Sequence, residues 1–335
     1  MNKTVKRSLV AGAAITAAAL INNALFANAK ALGNPLGGEG RFWPWRDGDV
    51  FYTRRGDGDL PVVLLHGIYA GASIYEWRKN FAALSEGPFT VYALDWLGFG
   101  LSDKPKIRYT GRAYVEMLAG FLQEVVGRPC ALVASSLAAA YAIEAARLAP
   151  NLAKSLVLVC PTGMTRLASR AGSPASDLMY RFLSLPLIGT SLYNGLTSRV
   201  SLRTYLENQA YFDPSYVTDE VVDQYSAATH QYGSQYATLC FVSGTLDHSV
   251  RESLPKLKQE SIRVIWGREA RMTPLSDAEA FLAANGNAEL TVFDKAGLLP
   301  HDEQAIAFNR LVSGALSSFL TDGKKPKKAG RKKAG

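Results

Sequence analysis

Histidine and cysteine are both scarce in this 335-residue chain, four of the first and three of the second. The cysteines, Cys130, Cys160 and Cys240, are odd in number and far apart, with no Cys-x-x-Cys pair. That excludes a disulfide framework and a cysteine zinc site, and it implies neither metal nor cofactor. Cys130 and Cys160 fall in or beside apolar runs, where cysteine packs as a small hydrophobe. Acidic residues are missing from residues 1–30, and 321–335 hold only Asp322. Residues 1–30 carry a charge of +4 and residues 321–335 carry +6, which leaves −2 for the body out of the total of +8. The basic pI therefore describes the ends and excludes a basic nucleic-acid groove on the fold. Nearly half of the residues are hydrophobic, enough for a large core.

No charge falls between Ser8 and Ala29. A basic start, an apolar centre and Ala27-Asn28-Ala29 fit a signal peptide cleaved after Ala29. The same run is also about long enough for an uncleaved membrane anchor. Either reading of residues 1–30 places the body outside the cytoplasm. The end of the chain, 321–335, reads as a disordered basic tail with attraction to an anionic membrane surface.

Between the ends, apolar strands alternate with helical segments. Strands are expected at 49–55 (an edge), 61–65, 89–95, 130–135, 154–160, 261–266 and 289–293. Helices are expected at 72–84, 114–126, 137–148, 275–284 and 302–320. Alternation of this kind predicts an α/β fold with a mainly parallel sheet and helices on both faces. It stops over 162–250, which reads as a helical lid inserted into a core formed by 45–161 and 251–320. Aromatic residues there (Tyr180, Phe182, Tyr193, Tyr205, Tyr211, Phe212) suggest an apolar cavity beneath it.

Three segments carry chemistry. Leu64-Leu65-His66-Gly67-Ile68 closes one strand, Asp95-Trp96-Leu97-Gly98-Phe99-Gly100-Leu101-Ser102-Asp103-Lys104-Pro105 follows the next, and Ala134-Ser135-Ser136-Leu137-Ala138 joins a third strand to a helix. A serine between small residues at such a turn matches a nucleophile elbow. Together the segments resemble the α/β-hydrolase superfamily, in its epoxide hydrolase, haloalkane dehalogenase and esterase-like branch, over roughly residues 45–320. The resemblance puts Ser136 in the nucleophile slot. It makes the backbone N–H groups of Ile68 and Leu137 the oxyanion donors, worth about 2.7–4 kcal/mol each. A serine nucleophile favours ester-type acyl transfer over the aspartate chemistry of the epoxide hydrolases and dehalogenases.

The partners of that serine depart from the family pattern. In Trp266-Gly267-Arg268-Glu269-Ala270 the acid slot is Ala270, and in Gly297-Leu298-Leu299-Pro300-His301-Asp302-Glu303 the base slot is Leu298. A rebuilt triad would take His301 as base with Glu269 as acid. The competing reading has His301 and Glu303 pin the start of the last helix, with His301 beyond hydrogen-bond reach of Ser136. Two functions follow: a serine hydrolase of hydrophobic esters or related acyl compounds, or a catalytically impaired relative that binds a small hydrophobic ligand. A membrane-linked scaffold is a third and weaker reading. Oligomeric state has no signature here.

Overall fold

A computed structural model describes residues 3–165, 170–257 and 261–322. Its centre is an eight-stranded sheet in the order β1-β2-β4-β3-β5-β6-β7-β8. The strands are β1 Glu39–Trp45, β2 Gly48–Arg55, β3 Leu60–Leu65, β4 Phe89–Leu94, β5 Cys130–Ser135, β6 Ala153–Val159, β7 Ser261–Gly267 and β8 Ala288–Phe293. β1 and β2 run antiparallel, and every pairing from β3 to β8 is parallel. β3, β4 and β5 are buried along their whole length. Strands covered on both faces need such unbroken apolar runs. The segment 49–55 is not the edge expected from its alternation. The aromatic segment Arg41–Arg46 falls largely within an additional strand, β1, outside it, and cross-strand contacts such as Phe42 on Phe51 hold that strand.

The helices are α1 Lys3–Ala27, α2 Phe81–Ser85, α3 Gly111–Phe121, α4 Leu137–Leu148, α5 Pro174–Leu183, α6 Ile188–Leu196, α7 Arg199–Tyr205, α8 Asp219–Thr229, α9 Ser234–Val242, α10 Ala278–Ala284, α11 Pro300–Glu303 and α12 Ala305–Asp322. One face of the sheet packs with α3, α4 and α10, the other with α2 and α12. The helix expected over 72–84 is broken into a short turn at Ile74–Trp77 and α2, because Asn80 turns inward and holds His301 O and Asn309 Oδ1. The one expected over 302–320 is likewise divided at Gln304, between α11 and α12. Helices α5 to α9 form the insertion between β6 and β7.

α1 lies against the insertion. Asn22 is buried there, donating to Ser191 Oγ (2.9 Å) and accepting from Asn194 Nδ2 (2.8 Å), and Phe26 stacks on Tyr193. No helix among the described residues is long and apolar enough to cross a membrane. Residues 323–335 of the basic tail lie outside the described part of the chain.

Candidate active site

β5 ends in a turn sharp enough to force Ser136 to φ 51° and ψ −123°. A side chain at positive φ costs of order 1–3 kcal/mol and persists only where its surroundings impose it. Here Ser136 N–H donates to Val159 O (2.8 Å), while Ser136 O accepts from Ala139 N (3.2 Å) and Thr162 N (3.3 Å). Ala134 and Ala138 are both fully buried at this strand–helix junction. The fold therefore presents the Ser136 hydroxyl above the C-terminal ends of the parallel strands. Ser135 is buried instead.

Ser136 lines a cavity of about 290 Å³ under the insertion. Its wall includes Ile68, Tyr69, Leu202, Tyr205, Met272 and Leu298. Among the described residues, no acceptor meets the backbone N–H of Ile68 or of Leu137. The Ser136 and Tyr205 hydroxyls likewise have no hydrogen-bond partner there, whereas Tyr193, Thr197, Ser201 and Thr238 are all bonded within the insertion. A larger groove of about 750 Å³ lies between α1 and the insertion, but Ser136 is not in it. The smaller cavity is the one that carries chemistry.

Each histidine has other employment. The Nδ1 of His66 lies 2.7 Å from Gly67 O, and Trp96 N–H donates to its Nε2 (3.3 Å). The ring thus ties the loop after β3 to the loop after β4. Asp95 follows, buried and drawing Ile74 N–H and Leu101 N–H onto its carboxylate, so His66 shapes the two loops. Gly100, at φ 51°, passes so close to that carboxylate that a Cβ would overlap it. His230 bonds Ser226 O in α8. His248 rests edge-on against Tyr141, and burial lowers its pKa.

His301 is fully buried, its ring tilted against Trp77 at 4.4 Å between centroids, with Nε2 at 3.3 Å from Glu76 Oε1. Burial pushes the Glu76 carboxyl up, but contact with His301 and the Tyr69 hydroxyl outweighs it and leaves the pKa below its ordinary value. Glu76 Oε2 also accepts from Gly67 N–H (3.0 Å) and Tyr69 Oη (2.5 Å). Glu269 is engaged elsewhere, accepting from Ala296 N–H (3.0 Å). His301 and Glu269 are thus not brought together, and His301 is absent from the cavity wall that holds Ser136. Its true partner, Glu76, lies 225 positions away in the chain, so no local motif announced the pair.

The neighbours of His301 fasten the insertion. Asp302 meets Arg78 (2.6 Å), Lys79 (3.1 Å) and Tyr211 Oη (2.5 Å). Glu303 accepts from the N–H groups of Gly297, Phe212 and Asp213. Of the insertion's aromatics, Tyr193, Tyr205 and Phe241 reach the cavity. Tyr211 is committed to Asp302, while Phe182 and Phe212 are exposed. The cysteines are buried and unpaired, and burial pushes the Cys130 and Cys160 thiols up to about 12. The described residues contain no group of three or more metal-ligating side chains.

A strained serine between a parallel strand and a helix, with two open N–H groups beside it, is the architecture of an α/β hydrolase. A profile of the alpha/beta hydrolase family matches residues 62–311, and the chain belongs to that family. It is 26% identical over 278 residues to a 2-hydroxy-6-oxononadienedioate/2-hydroxy-6-oxononatrienedioate hydrolase of Pseudomonas sp, covering 81% of this chain and 93% of the relative. Over 270 residues it is 26% identical to the 2-hydroxy-6-oxo-6-phenylhexa-2,4-dienoate hydrolase of Delftia acidovorans, covering 78% and 89%. A solved mutant of the meta-cleavage product hydrolase from Pseudomonas fluorescens IP01 superposes with a TM-score of 0.65 at 25% identity, covering 81% and 95%.

Proposed function

We propose that the Ser136 cavity binds a small hydrophobic carbonyl compound of the ester or acyl class, in a hydrolase-derived protein that has lost its general base. One observation carries this reading. Leu298, in the slot where the family resemblance places the base, lines the same cavity as Ser136, and no histidine among the described residues does. Ala270 in the acid slot is buried as well. A serine without a base is a poor nucleophile, and loss of the histidine from an intact triad costs on the order of 10⁶ in rate. What remains suits recognition. The N–H groups of Ile68 and Leu137 and the Ser136 hydroxyl face a ligand oxygen, and the helices of the insertion act as an apolar lid. At about 290 Å³ the cavity sits at the small end of ligand sites.

A second reading, a serine hydrolase acting on a hydrophobic ester through an atypical triad, is favoured by the strained elbow itself. Strain at Ser136 without use would be an uncompensated cost. A fluorophosphonate probe and titration with methyl octanoate separate the two. The binding reading expects saturable uptake of methyl octanoate that is weakened in Leu202→Trp, with no labelling of the wild type. Rapid labelling that disappears in Ser136→Ala would overturn it in favour of the hydrolase.

A further inference from the structure

The insertion turns apolar side chains outward as well as inward. On α5, Leu178 (71% exposed) and Phe182 lie four residues apart, so they share one face. On α6, Ile188, Leu192 and Leu196 repeat that spacing, and Val200 (77% exposed) extends the row onto α7. Helices facing water normally place polar residues on such a stripe. α1 is hydrogen-bonded to α6 through Asn22, and it leaves Leu20 and Ile21 exposed in turn. The Ser136 cavity is connected to this surface. Leu196, Val242 and Met272 line the cavity, yet each is 41% exposed or more, so the mouth is framed by these side chains.

Charge distinguishes among the partners such a surface could take. Lys30, Lys106 and Arg181 are exposed near it, and among the described residues none of them pairs with a carboxylate. Lys3, Lys6 and Arg7 stand at the start of α1 without an acid among them, and the other end of the chain brings seven more Lys and Arg between 324 and 333. An apolar face accompanied by basic residues suits a bilayer with anionic headgroups, since burial of the apolar side chains and attraction of the cations add together.

We propose that the outer face of the insertion, together with α1, docks on an anionic lipid bilayer and that the mouth of the Ser136 cavity opens into that bilayer, so that the ligand is loaded from the lipid phase. The docking half stands independently, whereas loading rests on the reading of the cavity as an apolar ligand site. The arrangement requires no membrane-spanning helix.

Sedimentation with vesicles of phosphatidylcholine, with and without 30% phosphatidylglycerol, tests the docking. The expected result is at least tenfold stronger partitioning onto the anionic vesicles, reduced at least tenfold in Leu178→Asp/Leu192→Asp. Both positions are exposed, so an unchanged thermal melt is expected to show that the variant folds. Orientation is read from an NBD fluorophore on Leu192→Cys, Val242→Cys and Leu148→Cys, with the three native thiols buried. Leu148 ends α4 at the opposite end of that helix from Ser136. Quenching by doxyl-labelled lipid at positions 192 and 242 but not at 148 is expected. No partitioning of the wild type, or equal quenching at 148, would overturn the docking. Quenching at 192 without 242 would overturn the placement of the mouth. A solution dimer that the double variant splits would also overturn the proposal, by making this face an interface between copies. None of these measurements uses a ligand, so failure here is distinct from failure of the methyl octanoate titration.

Discussion

Ser136 combines a costly backbone conformation with an apparent lack of help in using its hydroxyl. On the reading proposed above, Leu298 and Ala270 stand where that help would come from; both are buried, and Leu298 lines the Ser136 cavity. Restoring the base is therefore a matter of side-chain chemistry. In Leu298→His/Ala270→Asp, fluorophosphonate labelling of Ser136 is expected to rise at least 100-fold over wild type, measured by intact mass. No gain would mean that the cavity had lost more than the base. The strain gives an independent expectation. Ser136→Gly relieves a positive φ and is expected to stabilise the fold by about 1 kcal/mol, read as a higher urea midpoint. The hydroxyl and its neighbours were legible at this scale because the elbow is a local motif. The Glu76–His301 contact was not, because burial joined two residues whose sequence surroundings have nothing in common.

Among elements, α11 acts as the clasp between sheet and insertion. Three successive side chains, His301, Asp302 and Glu303, each meet a different segment. Glu76 Oε2 accepts from Gly67 N–H and Tyr69 Oη, and a hydrogen bond to a charged group contributes about 1.5–3 kcal/mol, so Glu76→Gln is expected to destabilise by roughly that amount. The pH dependence has a definite sign. Glu76 has a folded-state pKa below its unfolded value, so its contribution is fully present above the unfolded carboxyl pKa and is lost as pH falls through the lowered folded value. Asp95 and Glu303, raised by burial, act in the opposite sense, with stability lost as pH rises toward their folded values. The difference in urea midpoint between wild type and Glu76→Gln is expected to shrink as pH falls below about 4.5. A constant difference would contradict the assigned shift. For Tyr211→Phe, loss of the bond to Asp302 is expected to speed amide exchange over 206–213 more than in the sheet.

Taken as a whole, the molecule concentrates its apolar exposure on the insertion and α1, and its excess positive charge at the two ends of the chain. Deleting residues 324–335 is expected to weaken binding to phosphatidylglycerol vesicles at low ionic strength, and the deficit is expected to vanish near 0.5 M salt, where charges are screened within about 4 Å. Sequence alone determined the parallel part of the sheet, from β3 to β8, because buried parallel strands must be continuous apolar runs and helices must alternate with them. It also pointed to the turn between β5 and α4 at which Ser136 takes its positive φ. Local backbone geometry and short motifs carry all of these. Only the tertiary structure decided that His301 answers to Glu76, that Glu269 serves Ala296, that Leu298 closes the wall beside Ser136, and that the insertion's apolar residues divide between cavity and surface. Those outcomes depend on which distant segments burial brings together, and a pattern read along one chain does not contain that.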